Sequence, residues 1–143
     1  MPERPSYTEI EHTADVGVEL EAPDLNAAFE RTAAAMFDMI SDLDRVGSDW
    51  RRDVRVVGRS GDREHLLIRW LTELLFVHES EHVLLSTFHV LSIGPDAIEA
   101  EVAGERIDRE RHALKIEIKA PTYHDLVIEQ VSSGWRVRVI FDT

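Results

Sequence analysis

The sequence predicts an α+β fold in which two helices pack on a largely antiparallel β-sheet, within a single domain over residues 1–143. Helical periodicity is confined to the first part of the chain, and period-two alternation of apolar and polar residues dominates after residue 82. Such segregation of helices and strands along the chain is typical of this class. A chain of 143 residues with 43% apolar content can bury one hydrophobic core.

Two strands and a helix are predicted before residue 41. Residues 7–12 form the first strand, and residues 16–21 form the second, in which apolar side chains alternate with acidic or small ones. Apolar residues at spacings of three and four then give one helical stripe over residues 25–40. Asp24 is the expected N-cap, because its carboxylate can accept from free backbone N–H groups.

A third strand and a second helix follow. Residues 53–58 are rich in valine, which favours a strand. Ser60-Gly61-Asp62 then caps a helix with the strongest apolar stripe in the chain. The stripe consists of Leu66, Leu67, Trp70, Leu71, Leu74 and Leu75. Its burial is worth roughly 1.5–3 kcal/mol per large side chain, so this helix is expected to lie against the sheet.

The rest of the chain predicts about five β segments, each with period-two alternation. They cover residues 83–93, 98–102, 114–119, 126–129 and 135–141. Ser132-Ser133-Gly134 is expected to be a three-residue hairpin loop, with glycine where a positive φ is needed. Pro121 interrupts the ladder and indicates a kink or bulge.

Composition excludes several classes of protein. There are 16 Lys and Arg against 28 Asp and Glu, for a net charge of −12, and such an acidic chain is not expected to bind nucleic acid strongly. Cysteine is absent, which excludes disulfides and thiolate metal sites. No stretch approaches the roughly 20 apolar residues of a membrane span, and residues 1–5 lack the apolar core of a secretory signal. A cytoplasmic domain without membrane attachment is therefore expected.

Carboxylates occur at two strand ends. His12-Thr13-Ala14-Asp15 joins the first two strands, where it could present an acidic site or form an ordinary turn. Asp142 lies beside Thr143, whose main-chain carboxylate adds a second anionic group, and such oxygen ligands suit Ca²⁺ or Mg²⁺. If Asp15 lies nearby, mutual repulsion of three carboxylates favours a bound cation. The alternative for Asp142 and Thr143 is a frayed, solvated end.

Three further groups carry polar chemistry. Lys119, Tyr123 and His124 follow one another around Pro121 and are candidate acid–base or anion-binding groups, unless the segment is only an exposed strand bend. His78 and His82 have the spacing of a helical zinc pair, but no HExxH accompanies them, so a polar helix end is favoured. The mixed charges of residues 105–111 indicate a solvated loop.

In their order and placement, these motifs resemble the archease family. The resemblance is carried by His12-Thr13-Ala14-Asp15, the Leu66–Leu75 helix, Lys119-x-x-Thr122-Tyr123-His124 and Phe141-Asp142-Thr143. It implies a small cytoplasmic accessory protein that is not itself an enzyme. Archeases assist the RtcB-type RNA ligase in tRNA splicing and RNA repair, by promoting its GTP-dependent guanylylation and multiple turnover.

The resemblance also implies a metal site. Its ligands fall on Asp15, Asp142 and Thr143, and Ca²⁺ is the expected cation, with Mg²⁺ or Mn²⁺ as alternatives. Archeases commonly end in an apolar residue, and Thr143 departs from this pattern by adding a hydroxyl oxygen. His12, Lys119 and His124 lie in the matching motifs and are expected to be accessory or partner-facing residues.

Two other functions stay open on the sequence. One is a stand-alone metal-dependent phosphoester hydrolase, in which His12 or His124 would be the general base. The other is a general chaperone-like binding module, which would need an exposed apolar patch.

Overall fold

Helices and strands occur in the order that the sequence predicts up to the second helix. The structure is a computed structural model and describes residues 4–12 and 15–143, apart from the side chains of residues 11 and 12. Within those residues it contains two helices and seven strands, which confirms the α+β class. The elements are β1 (Thr8–His12), β2 (Asp15–Ala22), α1 (Leu25–Ile40), β3 (Trp50–Val57), α2 (Arg63–Glu81), β4 (Val83–Ile93), β5 (Ala97–Arg106), β6 (Ala120–Val131) and β7 (Gly134–Asp142).

The strands divide into two antiparallel sheets, where the sequence predicted one. One sheet has the order β1-β2-β7-β6 and the other has the order β3-β5-β4. Both helices contact strands of both sheets, so their apolar side chains join the two sheets into one core. No helix in the described part of the chain has the length and apolar content to cross a membrane.

Both helices begin at the predicted caps. The carboxylate of Asp24 accepts from the backbone N–H of Ala27 over 2.8 Å, and that of Asp62 accepts from His65 N over 2.9 Å. The latter bond is the main cause of the lowered pKa of Asp62. The predicted stripe of α2 is buried, and Trp70 at its centre donates from Nε1 to the carbonyl of Phe29 in α1 over 3.1 Å.

Strand β7 is an interior strand and carries both core and surface residues. Its register with β2 runs without interruption from Asp15–Asp142 to Ala22–Trp135. Val137, Val139 and Phe141 face the core. Side chains alternate along a strand, so the intervening residues project from the opposite side, here called the outer face. The outer face carries Asp15, Gly17, Glu19 and Glu21 of β2, and Arg136, Arg138, Ile140 and Asp142 of β7.

The predicted strand at residues 114–119 is wrong. This segment forms one isolated bridge, between Ser41 and Leu114, and Lys115 N donates to the carbonyl of Ile40 over 2.8 Å. The segment therefore runs past the end of α1 as extended chain, and it reaches the four-stranded sheet only at Lys119, whose N–H donates to the carbonyl of Asp142. Its alternating pattern arises because Ile118 is buried while the flanking charged side chains are exposed.

The hairpin between β6 and β7 is tighter than predicted. Val131 pairs with Gly134, so the loop has two residues and not three. Gly134 has a φ of 140°, and a Cβ there would lie 2.1 Å from the carbonyl oxygen of Ala22, so only glycine fits. The bulge indicated by Pro121 is confirmed, because β6 advances from Thr122 to Val127 while β7 advances only from Ile140 to Arg138.

Candidate functional site

Two aspartates from distant parts of the sequence meet at one end of the four-stranded sheet. Asp15 begins β2, Asp142 ends β7, and the two residues are direct partners in the antiparallel register. Directly opposite residues project from the same face, with Cβ atoms roughly 4.5–5.5 Å apart. Asp142 is exposed and Asp15 is half-buried. The structure thus brings together two of the three predicted metal ligands on the outer face.

The neighbouring strands fix this end of the sheet from both sides. Ala120 of β6 is the register partner of Asp142, and Lys119 N donates to the carbonyl of Asp142 over 2.8 Å. On the other side, His12 pairs with Asp15, although its side chain lies outside the described part. Thr13 and Ala14 also lie outside the described residues. Thr143 follows β7 directly and is half-buried.

The donor set of this site fits a hard cation. Asp15 and Asp142 offer only oxygen, and two carboxylates directly opposite in an antiparallel pair repel one another until a cation neutralises them. Among the described residues, no group of three or more His, Asp or Glu side chains is placed to hold a metal ion. Further oxygens would therefore have to come from the main chain or from Thr143.

The bulge in β6 places a second polar group beside β7. Thr122 Oγ1 donates to the carbonyl of Ile140 over 2.9 Å and accepts from His124 N over 3.3 Å. His124 Nε2 lies 3.4 Å from a carboxylate oxygen of Asp125, which has a φ of 52°. The side chains of Lys119, Tyr123 and His124 are exposed. Lys119 directly precedes Ala120, the register partner of Asp142, and Tyr123 and His124 follow Ala120 within four residues. All three residues therefore lie near that end of the sheet.

Two arginines on the outer face were not predicted as functional residues. Arg136 is held by two carboxylates, those of Glu19 and Glu129, each at 2.9 Å. Arg138 forms no ion pair within the described part of the chain, and its Nε is buried without a hydrogen-bond partner there. Both arginines alternate with apolar residues, and this pattern predicts that they share one face of the strand. It does not predict that Arg136 forms ion pairs while Arg138 forms none among the described residues.

The histidine pair at the end of α2 is a helix terminus, as favoured above. His78 Nδ1 lies 2.6 Å from the carbonyl of Val83, and its ring stands edge-on to Phe37. His82 is the C-cap, with a left-handed φ of 54°. These roles stabilise the turn from α2 into β4.

The expectation of a solvated loop at residues 105–111 is wrong for its first two residues, Glu105 and Arg106, which belong to β5. Glu105 lies in β5 and accepts from Gly47 N over 2.9 Å, from buried His112 over 2.9 Å and from Arg111. Burial raises the pKa of Glu105, but these hydrogen bonds outweigh it and lower the pKa to about 2. No sequence pattern indicates this network, because its members come from three separate segments.

The family model described as the archease protein family (MTH1598/TM1083) matches residues 7–143. The chain belongs to the archease family. This confirms the resemblance drawn from its motifs. The archease of Methanosarcina mazei is 36% identical over 140 residues, which cover 95% of this chain and 94% of that protein. The archease of Pyrococcus abyssi is 38% identical over 140 residues, covering 95% and 97%.

Solved structures agree with this assignment. The solution structure of protein 1598 of Methanobacterium thermoautotrophicum matches this archease with a TM-score of 0.82 and 35% identity, over 96% of this chain and 98% of that one. The Thermotoga maritima protein described as "an archease, possible chaperone" matches with a TM-score of 0.60 over 94% of each chain. At 20% identity, the latter shows a shared fold alone.

Proposed function

We propose that this archease is a non-catalytic activator of an RtcB-type RNA ligase in tRNA splicing and RNA repair. In this proposal it promotes GTP-dependent guanylylation of the ligase and multiple turnover. A divalent cation held by Asp15, Asp142 and Thr143 would be the component that acts on the ligase. The observation that carries the proposal is the register pairing of Asp15 with Asp142, which supplies two carboxylates at one end of the outer face.

The cation would be Ca²⁺, with Mg²⁺ and Mn²⁺ as alternatives, because carboxylate oxygens suit all three. When bound, it would supply positive charge to phosphate oxygens. The protein's part is to hold the two carboxylates at a fixed separation. The ladder between β2 and β7 does this, and Lys119 N, bonded to the carbonyl of Asp142, keeps the end of β7 in place.

The charge of the protein supports an encounter with a basic partner. A protein that handles RNA presents positive surface, and a net charge of −12 would accelerate association with it by electrostatic steering. The same charge keeps this archease from competing for the RNA itself. His12, Lys119 and His124 belong to segments next to the aspartate pair and are proposed to face the ligase.

The test is a guanylylation assay of the cognate ligase with GTP and Mn²⁺. Wild-type archease is expected to raise the rate of guanylylation, and Asp142→Asn and Asp15→Asn are expected to lose at least about tenfold of that stimulation. Asp49→Asn is the matched control, because Asp49 is exposed and directly precedes β3, a strand of the other sheet. Full stimulation by either site variant would refute the proposal.

The same preparation tests the two other functions. Hydrolysis of a phosphoester by purified archease alone would favour the hydrolase. A chaperone-like module would need a continuous apolar surface, but the large apolar side chains that are more than 40% exposed come from five separate segments. They are Val57, Phe76, Leu91, Leu114 and Tyr123. No observation on the described residues therefore favours the chaperone-like module over the ligase activator.

A further inference from the structure

The two sheets have four edge strands, β1, β6, β3 and β4. An edge strand exposes unpaired N–H and C=O groups, and proteins commonly protect it by short length, proline, a bulge or a covering element. Strand β1 has five residues, and β6 contains Pro121 and a bulge. The edge of β4 is covered by α1, where Glu30 accepts from Val90 N over 2.8 Å and Asn26 donates to the carbonyl of Val90 over 3.3 Å. Strand β3 differs, because it has eight residues without proline and pairs with β5 without interruption.

Alternate residues of β3 direct their main-chain groups away from β5. Gly58 N donates over 2.8 Å to the carbonyl of Asp96, which continues the register of the two strands, so these residues form a hydrogen-bonded pair. Hydrogen-bonded and non-hydrogen-bonded pairs alternate along an antiparallel ladder. The residues whose N–H and C=O groups face away from β5 are therefore Arg51, Asp53, Arg55 and Val57. Arg69 Nε donates to the last of these carbonyls over 3.4 Å. Among the described residues, nothing bonds the main-chain groups of the first three, here called the β3 edge.

Two side chains of the β3 edge have no ion-pair partner within the described part of the chain. Arg51 and Asp53 are both exposed and lie two residues apart, so they share one face of the strand. Asp53 stands directly opposite Glu101 of β5, and like charges so placed are unfavourable. Arg55, by contrast, lies 3.6 Å from Glu99. The β3 edge therefore carries one cation and one repelled anion, each without an opposite charge in contact.

We propose that the β3 edge pairs antiparallel with the β3 edge of a second copy of this chain, so that Arg51 of each copy stands opposite Asp53 of the other. The pairing would satisfy the main-chain N–H and C=O groups of the edge in both copies, which is how a strand adds to an exposed sheet edge. A guanidinium beside Asp53 would also offset the repulsion from Glu101. The contact is two-fold symmetric, since the same residues contribute from both sides.

The other charges of the strand fit the same register. At every second position from residue 49 to residue 55 the charge changes sign, in the order Asp49, Arg51, Asp53 and Arg55. An antiparallel copy centred on residue 52 brings Asp49 of one copy opposite Arg55 of the other, so all four positions meet an opposite charge. Arg52 would meet its own counterpart at the axis, but its guanidinium is bonded to Glu81 over 2.8 Å in each copy.

The net charge of −12 opposes self-association at long range. Salt at physiological strength screens exposed charges that are separated by more than about 8 Å, whereas side chains directly opposite in a sheet have Cβ atoms within about 5.5 Å. The contacts at the β3 edge therefore outlast the general repulsion. The inference does not use the cation site of the proposed function, because β3 belongs to the three-stranded sheet.

The test is sedimentation equilibrium of the full chain over a range of concentrations, in about 0.15 M salt. The wild type is expected to pass from 16.3 kDa to twice that mass as its concentration rises. Arg51→Glu and Asp53→Arg each turn two attractive pairs of the dimer into repulsive ones, and each is expected to weaken dimerisation at least about tenfold. An equimolar mixture of the two variants is expected to dimerise as the wild type does. In the mixed dimer the two changed residues face each other, and so do the two unchanged ones.

Arg109→Glu and Glu110→Arg are the matched controls, because they make the same charge changes at exposed positions beyond the end of β5. Each is expected to dimerise within about twofold of the wild type. Amide hydrogen exchange supplies a second measurement. The three N–H groups of the β3 edge are expected to exchange at least about tenfold more slowly in concentrated than in dilute wild type. Circular dichroism and thermal denaturation establish that each variant is folded.

A wild type that stays at 16.3 kDa at every concentration would overturn the inference. So would a mixture of Arg51→Glu and Asp53→Arg that dimerises no better than either variant alone, because the register would then be wrong. An equal weakening by the control variants would mean that only net charge matters. Dimerisation without slower exchange at the β3 edge would place the contact on another surface. If a monomeric wild type binds a synthetic peptide of residues 49–55, then the edge accepts a strand of a different chain and the second copy is wrong.

Discussion

Asp15 and Asp142 stand directly opposite each other on the outer face, across the ladder that joins β2 to β7. Like charges so placed destabilise a sheet. The pairing is therefore unfavourable for folding alone, and the proposed cation would offset the repulsion between the two carboxylates. If a cation relieves this repulsion, its binding should be measurable as an increase in the free energy of unfolding.

The first prediction concerns the effect of Ca²⁺ on the free energy of unfolding. Ca²⁺ at about 100 times its Kd is expected to raise the free energy of unfolding of the wild type by about 2.7 kcal/mol. Asp142→Asn is expected to abolish this rise and to be slightly more stable than wild type in EDTA. Urea denaturation with and without Ca²⁺ measures both effects. Asp49→Asn should respond to Ca²⁺ as the wild type does, and a Ca²⁺ response retained by Asp142→Asn would contradict the assignment of the ligands.

The second prediction concerns the close approach of β2 and β7 next to the aspartate pair. A Cβ on Gly17 would lie 2.8 Å from the backbone carbonyl of Val139 as well as against Ile140. Gly17→Ala is therefore expected to lower the free energy of unfolding by about 1–3 kcal/mol. Gly94→Ala is the control, because its Cβ would make an ordinary contact at 3.8 Å. Equal stabilities of the two variants in urea would disprove the steric argument.

The third prediction is the pH dependence that Glu105 gives to folding. Its pKa is about 2 in the folded protein, below the ordinary value of 4.5, so the folded state binds the proton less well than the unfolded state. Glu105 therefore contributes stability above about pH 4.5, and that contribution is lost as the pH falls from there towards 2. Glu105→Gln is expected to flatten this part of the stability profile. Glu110→Gln, at an exposed position, should leave the profile unchanged.

The fourth prediction concerns the attachment of the N-terminal segment to α1. Tyr7 donates from its hydroxyl to a carboxylate oxygen of Asp38 over 2.9 Å, and Asp38 is only 1% exposed. Burial, together with this bond, raises the pKa of Tyr7, so the phenol stays a donor at neutral pH. Tyr7→Phe removes a hydrogen bond to a charged group and is expected to cost about 1.5–3 kcal/mol in urea denaturation.

The control for that bond is Tyr123→Phe, at a side chain that is 51% exposed. It should change the free energy of unfolding by less than about 0.5 kcal/mol. A loss as large as that of Tyr7→Phe would mean that the phenol of Tyr7 contributes nothing specific through Asp38.

Sequence patterns predicted the helices well because their signals are local. Asp24 and Asp62 each lie directly before a regular apolar stripe, and both cap the helix that follows. The alternation of β7 placed its polar residues on one face, so the outer position of Asp142 followed from the pattern. The sequence predicts a cation site only if Asp15 lies near Asp142. It does not predict that contact, because the register between distant strands depends on the whole sheet.

Other features escaped prediction because they depend on contacts between distant segments. The segment around Leu114 has the alternation of a strand, but it runs past the end of α1 and has no strand beside it. The division into two sheets depends on which strands become neighbours, which alternation does not encode. Glu105 and Arg138 look like ordinary surface residues in the sequence. Only the folded chain reveals that Glu105 has several partners, whereas the Nε of Arg138 is buried without a hydrogen-bond partner among the described residues.

The interior position of β7 sets the order in which the molecule can be completed. This strand separates β2 from β6, so the four-stranded sheet stays in two pieces until residues 134–142 have been synthesised and inserted. Pairing over so long a stretch of chain is slow, because loop closure precedes the gain from contacts. A nascent or truncated chain without this segment has neither a continuous four-stranded sheet nor Asp142 opposite Asp15, so the proposed cation site would form only with the finished fold.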